Sequence, residues 1–199
     1  KPVEIAVVRD TIHIKSVEGE IKKVKIELGN LKIIGEGENC ENCPRVAYLK
    51  LSQFGDTTNN EWLITVNSIA NKIKEREVRG LILDLRNNAG GYLNGAVFVA
   101  SEFVKEGTVV MQEKGNGERQ SFSVNRQGLL TEIPVVVLIN RGSASASEIV
   151  AAALRDNKRD KLVGETSFGK GTIQEAQELG SGAGLHITVA KWLTPNGSW

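Results

Sequence analysis

Between residues 81 and 91 the chain reads Leu81-Ile82-Leu83-Asp84-Leu85-Arg86-Asn87-Asn88-Ala89-Gly90-Gly91. Leu81-Ile82-Leu83 is a continuous apolar run, not an alternating one, as expected of a central strand covered on both faces. The Asn-Asn-Ala-Gly-Gly turn closes it. An apolar stripe at Leu93, Val97, Ala100 and Val104 then predicts a helix that leads through Gly107 into a strand over Thr108 to Gln112. The unit recurs, with Val135 to Ile139 as the next buried strand, Ser147 to Arg155 as a helix and Leu162-Val163 as a short strand ahead of Gly164. Strand, helix, strand in this order predicts parallel crossovers and an α/β fold.

Upstream, Val46 to Leu51 reads as a strand, and Trp62, Val66, Ile69 and Ile73 form the buried stripe of a helix ending near Gly80. Residues 1–34 read as short strands: Val3/Ile5/Val7, Ile12/Ile14, then Ile21, Val24, Ile26 and Leu28, with a hairpin turn at Gly29-Asn30. The loop from Gly35 to Pro44 separates this part from the rest, so residues 1–45 are a β-rich N-terminal segment and 46–199 the main body. Downstream, Thr172 to Leu179 and Leu185 to Leu193 look antiparallel, joined by the turn Gly180-Ser181-Gly182-Ala183-Gly184.

With 199 residues, 40% of them hydrophobic, the chain can bury one sizeable core, and a soluble globular protein is expected. Twenty-five basic against 24 acidic residues leave a net charge of +1, without blocks of either sign, so no nucleic-acid partner is expected. The longest apolar run, Val135 to Ile139, is far short of the roughly 20 residues that span a bilayer. No membrane contact is expected of this stretch of chain. No charged segment followed by an apolar one opens the sequence, and the true N-terminus is expected upstream. The spacing of Cys40 and Cys43 suits half a zinc site, a redox pair or a local disulfide. No second cysteine pair follows, and His13 and His186 are distant, so a loop clip or two free thiols is preferred and no metal site is expected.

Asn140-Arg141-Gly142-Ser143-Ala144-Ser145-Ala146-Ser147-Glu148-Ile149 sits where a buried strand gives way to a helix. A serine there lies near free N–H groups and the positive end of the helix dipole, which favour the anion of an acyl-transfer intermediate. Ser145 with Glu148 also fits a Ser-x-x-Glu capping box, and on local pattern alone the cap is preferred. A nucleophilic serine needs a base. Both histidines fall in strand-like runs and read as sheet residues, which leaves a Ser-His-Asp arrangement unsupported. Phe168-Gly169-Lys170-Gly171-Thr172 instead puts a lysine between two glycines just after a short parallel strand, where α/β sites gather. An amine serves as a base near neutral pH only where desolvation lowers its pKa from about 10.4 by roughly 2–3 units. An exposed lysine in a flexible turn remains the alternative.

Three segments together, Leu83 to Gly91, Gly142 to Ile149 and Gly164 to Gln174, resemble the carboxyl-terminal processing peptidases, also called tail-specific proteases. The resemblance covers roughly residues 46–199 and keeps the family's order and its 25-residue serine-to-lysine spacing. It implies an α/β fold of the crotonase/ClpP-like ββα type, with a mixed sheet and packed helices and a small β-rich N-terminal part. It implies Ser145 as nucleophile, Lys170 as general base and Gln174 as the residue that orients the lysine. The backbone N–H groups of Gly91 and Ala146 would form the oxyanion hole, and Asp156 would play a supporting, structural part. Residues four apart in a straight strand lie about 13 Å from each other, so Gln174 meets Lys170 only if the glycines bend the chain.

The resemblance further implies a serine endopeptidase that needs no metal or cofactor. Its substrates would be protein or peptide tails with apolar, uncharged C-termini, laid as an added strand against a sheet edge, in an extracytoplasmic compartment. A PDZ domain would precede the core, with Pro2 to Arg9 as its last strand, and the family usually continues past Trp199. Cys40 and Cys43 lie outside the resemblance. Two rival readings are a non-catalytic module of the same fold that binds apolar ligands or partners, and a crotonase-like acyl-CoA enzyme. The joint presence of Ser145, Lys170 and Gln174 weighs against both.

Overall fold

The computed structural model describes residues 15–27, 30–34, 40 and 43–199. The strands expected between Val3 and Ile14, the one at Pro2 to Arg9 included, lie outside the described residues, as does the start of the turn expected at Gly29.

Leu81–Asp84 (β4) is buried along its whole length, with neighbours on both edges and the side chains of Leu81 and Leu83 in the core shared with the helices. Arg45–Leu51 (β3) and Val135–Ile139 (β7) pair with it in parallel, and Asp160–Gly164 (β8) extends the parallel set beyond β7. On the other side Val17–Glu27 (β1) runs antiparallel to β3, and Asn30–Ile33 (β2) folds back on β1. The result is a mixed six-stranded sheet in the order β2-β1-β3-β4-β7-β8. A second, antiparallel sheet has the order β6-β5-β10-β9, built from Thr108–Lys114 (β5), Arg119–Ser123 (β6), Thr172–Gly180 (β9) and Ala183–Leu193 (β10). The fold is mixed α/β, as the sequence implies, with Thr58–Lys74 (α1), Leu93–Ala100 (α2) and Ala146–Asp156 (α3) as its helices.

Trp62, Phe54, Phe103, Leu49, Leu83 and Leu154 make up much of the closed core between sheet and helices. Trp62 meets Phe103 edge-on at 6.0 Å, and its indole N–H donates to the buried Glu102 carboxylate at 3.1 Å. Arg126 closes that site with a 2.6 Å ion pair, so the buried carboxylate is paired, as a buried charge must be.

Helix α1 stops at Lys74, short of Gly80. Arg76 takes a left-handed φ of 59°, while the N–H groups of Arg76 and Glu77 donate back to Ile73 and Lys72. That closure does the work usually given to a glycine at this place. The clip at Cys40 and Cys43 is a disulfide, and no cluster of metal-ligating side chains forms among the described residues.

Asp160 opens β8 with both carboxylate oxygens enclosed and, among the described residues, without a hydrogen-bond partner. Burial is the main cause of its pKa rise to about 6, opposed by the charges of Arg155 and Arg159. An aspartate in the unfolded chain titrates near 3.9, so the folded state holds the proton longer, and stability falls as pH rises from about 4 to about 6. We expect Asp160→Asn to stabilise the fold by about 2 kcal/mol at pH 8 and hardly at all at pH 3. Urea unfolding of both proteins at the two pH values checks this; an equal gain at both would refute it.

Candidate active site

The chain leaves β7 through a sharp turn and enters α3 at Ser145, whose φ of 55° and ψ of −114° are rare for a residue with a side chain. Such strain costs on the order of 1–3 kcal/mol and persists only where surrounding bonds enforce it. Those bonds come from the loop after β4. Ser143 Oγ donates to the Leu85 carbonyl at 2.8 Å, and Ser147 Oγ to the Asn88 carbonyl at 2.8 Å. The Ala144 amide also donates to Asn88 O, at 3.0 Å. Asn88 is itself buried and fixed, its side-chain amide donating to Leu51 O at 2.8 Å and its Oδ1 accepting the Gly90 amide at 2.9 Å. The two outer serines of the Ser-Ala-Ser-Ala-Ser run are therefore committed to backbone carbonyls, while Ser145 lines a cleft.

Gly90 and Gly91 let the two loops touch. A Cβ on Gly90 would fall 2.7 Å from Ala144 O and 2.8 Å from Ser145 Cβ, and one on Gly91, at φ 140°, 2.1 Å from Phe54 O. Phe54 fixes this turn, its amide donating to Gly90 O at 2.9 Å and its carbonyl accepting Tyr92 N–H at 3.0 Å. The intervening Gly91 amide and the Ala146 amide at the start of α3 are unengaged among the described residues. Both residues line the same cleft as Ser145.

Across the cleft, Gly169 adopts φ 86° and Gly171 N–H turns back onto Gly169 O at 3.1 Å, so the chain is bent at Lys170 before β9 begins. Lys170 and Gln174 line one cleft of about 290 Å³ with Gly91, Ser145 and Ala146, and no hydrogen bond joins the Gln174 side chain to the Lys170 amine in this conformation. Leu93, Ile149, Ile173 and Trp192 give that cleft apolar walls. No hydrogen bond joins the Ser145 hydroxyl to the Lys170 amine in this conformation. Asp156 lies elsewhere, at the far end of α3, where it accepts Arg155 Nε at 2.8 Å and the Asn196 amide at 3.1 Å. Burial alone would raise its pKa; contact with Thr194 and the bonds from Arg155 and Asn196 outweigh burial and lower it.

The profile of peptidase family S41 matches residues 45–199. The chain belongs to peptidase family S41. This S41 chain is 45% identical over 150 residues to the carboxyl-terminal-processing protease of Synechocystis, covering 75% of this chain and 34% of that protein. It is 36% identical over 198 residues to the carboxy-terminal processing protease CtpA of Bacillus subtilis, covering 99% of this chain and 37% of that protein. The solved structure of a photosystem II D1 C-terminal processing protease superposes with a TM-score of 0.77 at 33% identity, over 96% of this chain and 46% of that one. The S41 chain thus spans between a third and a half of the length of these relatives. The family read from the three motif segments is the one found.

Two features of this S41 site go beyond the sequence reading. Glu148, which the local pattern marks only as a capping partner, is 7% exposed and accepts four hydrogen bonds. Its Oε2 takes the Ser145 amide at 2.8 Å and the Lys170 amide at 3.0 Å; its Oε1 takes Ser167 Oγ and the Gly169 amide, each at 2.7 Å. One carboxylate thereby ties the serine turn to the lysine turn. The second feature lies at the end of β4, where Asp84 is gripped by Arg86 through Nε at 2.9 Å and Nη2 at 2.6 Å, and by the Tyr48 hydroxyl. Burial pushes the Asp84 pKa up, but Arg86 and Tyr48 more than offset it and hold the carboxyl below its usual value. This grip sets the course of Leu85 to Asn88, the segment on which Ser143 and Ser147 rest.

Proposed function

We propose that the chain is the catalytic core of a serine endopeptidase in which Ser145 attacks, Lys170 takes its proton and Gln174 orients the lysine. The attacked carbonyl oxygen becomes an anion held by the amides of Gly91 and Ala146, Lys170 returns the proton to the leaving amine, and water then releases the acyl group. One observation carries this reading. The middle serine of three is held in a strained turn, with its neighbours committed to carbonyls, facing a cleft shared with a lysine and two unengaged amides. Leu93, Ile149, Ile173 and Trp192 in the cleft, and the edge position of β9 among the described residues, support substrates that are extended protein or peptide tails with apolar C-termini. The Cys40–Cys43 disulfide supports an extracytoplasmic, oxidising compartment. Asp156 fastens the end of α3 to the segment after β10.

A fluorophosphonate probe tests the core of the proposal without knowledge of the natural substrate. It reacts with activated serines, and the adduct mass should appear on the tryptic peptide that holds Ser145, on no other serine, and should vanish in Lys170→Ala. Labelling spread over several serines, or undiminished in Lys170→Ala, would sink the dyad. Tail recognition is a separate measurement: an unfolded protein ending in apolar residues should be cut faster than the same protein ending in aspartates.

A further inference from the structure

We propose that Trp192 is a positioning residue for the base, acting through the peptide group of Lys170; the proposal rests on Lys170 being that base. Trp192 is buried near the end of β10, and its indole Nε1–H donates to the Lys170 carbonyl at 2.7 Å. Its backbone N–H donates to the next carbonyl, Gly171 O, at 2.9 Å. Trp199 adds a third bond, its Nε1–H reaching Gly171 O at 3.2 Å, and packs so closely that a Cβ on Gly171 would lie 2.3 Å from it. On the other side of the residue, Lys170 N–H is held by Glu148.

The lysine's backbone is therefore clamped at both ends by different parts of the fold. Its N–H answers to Glu148 on α3, and its C=O to Trp192 on β10 of the antiparallel sheet. The clamp matters because the lysine stands between Gly169 and Gly171, which impose little stiffness of their own. Where the Lys170 Cα sits, and so how far its amine is from Ser145, is set by these bonds. A misplacement of about 1 Å in a reacting group can cost about 100-fold in rate.

The test separates the indole N–H from the bulk of the ring. Trp192→Phe keeps an aromatic ring without the N–H. Trp192→His is smaller, but its Nε2 occupies the position in the five-membered ring that Nε1 holds in indole. We expect Trp192→Phe to lower kcat and the fluorophosphonate labelling rate of Ser145 by about 10- to 100-fold, with KM within about threefold. Trp192→His should recover at least about threefold of that kcat despite a lower melting temperature than the Phe variant. A packing role predicts the opposite ranking, Phe above His in both quantities. Assays run well below each variant's melting temperature keep the folded fraction out of the comparison. The proposal is overturned if Trp192→Phe keeps kcat within about twofold, if the loss lies in KM alone, or if His is no better than Phe. If Ser145→Ala or Lys170→Ala still turns over, the dyad reading has failed instead.

Discussion

Ser145→Ala and Lys170→Ala should each lower the cleavage rate of an unfolded protein by about 10,000-fold or more, equivalent to about 5.5 kcal/mol of transition-state stabilisation. The expected loss is large because the proposed mechanism makes the two groups a unit: without the amine the hydroxyl would keep its proton, and without the hydroxyl the amine would have nothing to activate. The double variant should be no slower than either single one, as residues in one catalytic step are strongly non-additive. Lys170→Arg is the sharper probe. It retains a cation of similar reach, yet a guanidinium does not give up its proton at any working pH, so it should be as slow as the alanine variant. Cleavage by Lys170→Arg near the parent rate would leave the lysine a purely electrostatic part and remove it as base. Ser143→Ala and Ser147→Ala serve as controls. Each loses a bond to Leu85 O or Asn88 O and costs about 1–3 kcal/mol of stability, but neither removes the attacking group.

Parts of this molecule were legible in the sequence because burial writes itself into local patterns. Leu81 to Leu83 is a continuous apolar run because β4 is flanked on both edges and buried throughout, and Val135 to Ile139 is another in the strand beside it, where Val135 and Val137 are buried. The strand β6 was not legible, since Arg119-Gln120-Ser121-Phe122-Ser123 is almost wholly exposed and has no buried face to reveal a period. The end of α1 is hidden in the sequence because its stop is a left-handed arginine, Arg76, six residues after Ala70 and before Gly80, and no residue type marks it. In the site, the strand-to-helix junction and the glycine-flanked lysine were visible as local motifs. The choice of Ser145 among three serines was not visible locally, since what commits Ser143 and Ser147 are carbonyls 58 and 59 residues away. Likewise Glu148 shows one local bond, to Ser145, while its other three partners lie 19 to 22 residues along the chain. Spacing cannot encode contacts that exist only after two loops have been brought together.

Glu148 is accordingly where a single small change should do most damage outside the reacting groups. Four donors converge on its carboxylate, and three of them are backbone N–H groups that cannot turn to find another acceptor. Glu148→Gln keeps the shape but offers one acceptor oxygen and one NH2. Whichever way the amide is turned, its NH2 faces a backbone N–H, of Gly169 on one side or of Ser145 and Lys170 on the other. We expect a loss of about 3–5 kcal/mol in stability for Glu148→Gln as for Glu148→Ala, because buried donors are left unmet. Turnover should fall by about 100- to 1,000-fold, with KM changing much less, because the serine and lysine turns lose their common anchor. Glu148→Asp retains both oxygens on a shorter arm and should draw the two turns out of register, not release them. Its stability should lie nearer the parent while its turnover stays about 10-fold or more below it. Urea unfolding, kcat, KM and the fluorophosphonate labelling rate of Ser145 measured on the three variants read both effects. If Glu148→Gln labels Ser145 at the parent rate, the carboxylate caps the helix and nothing more.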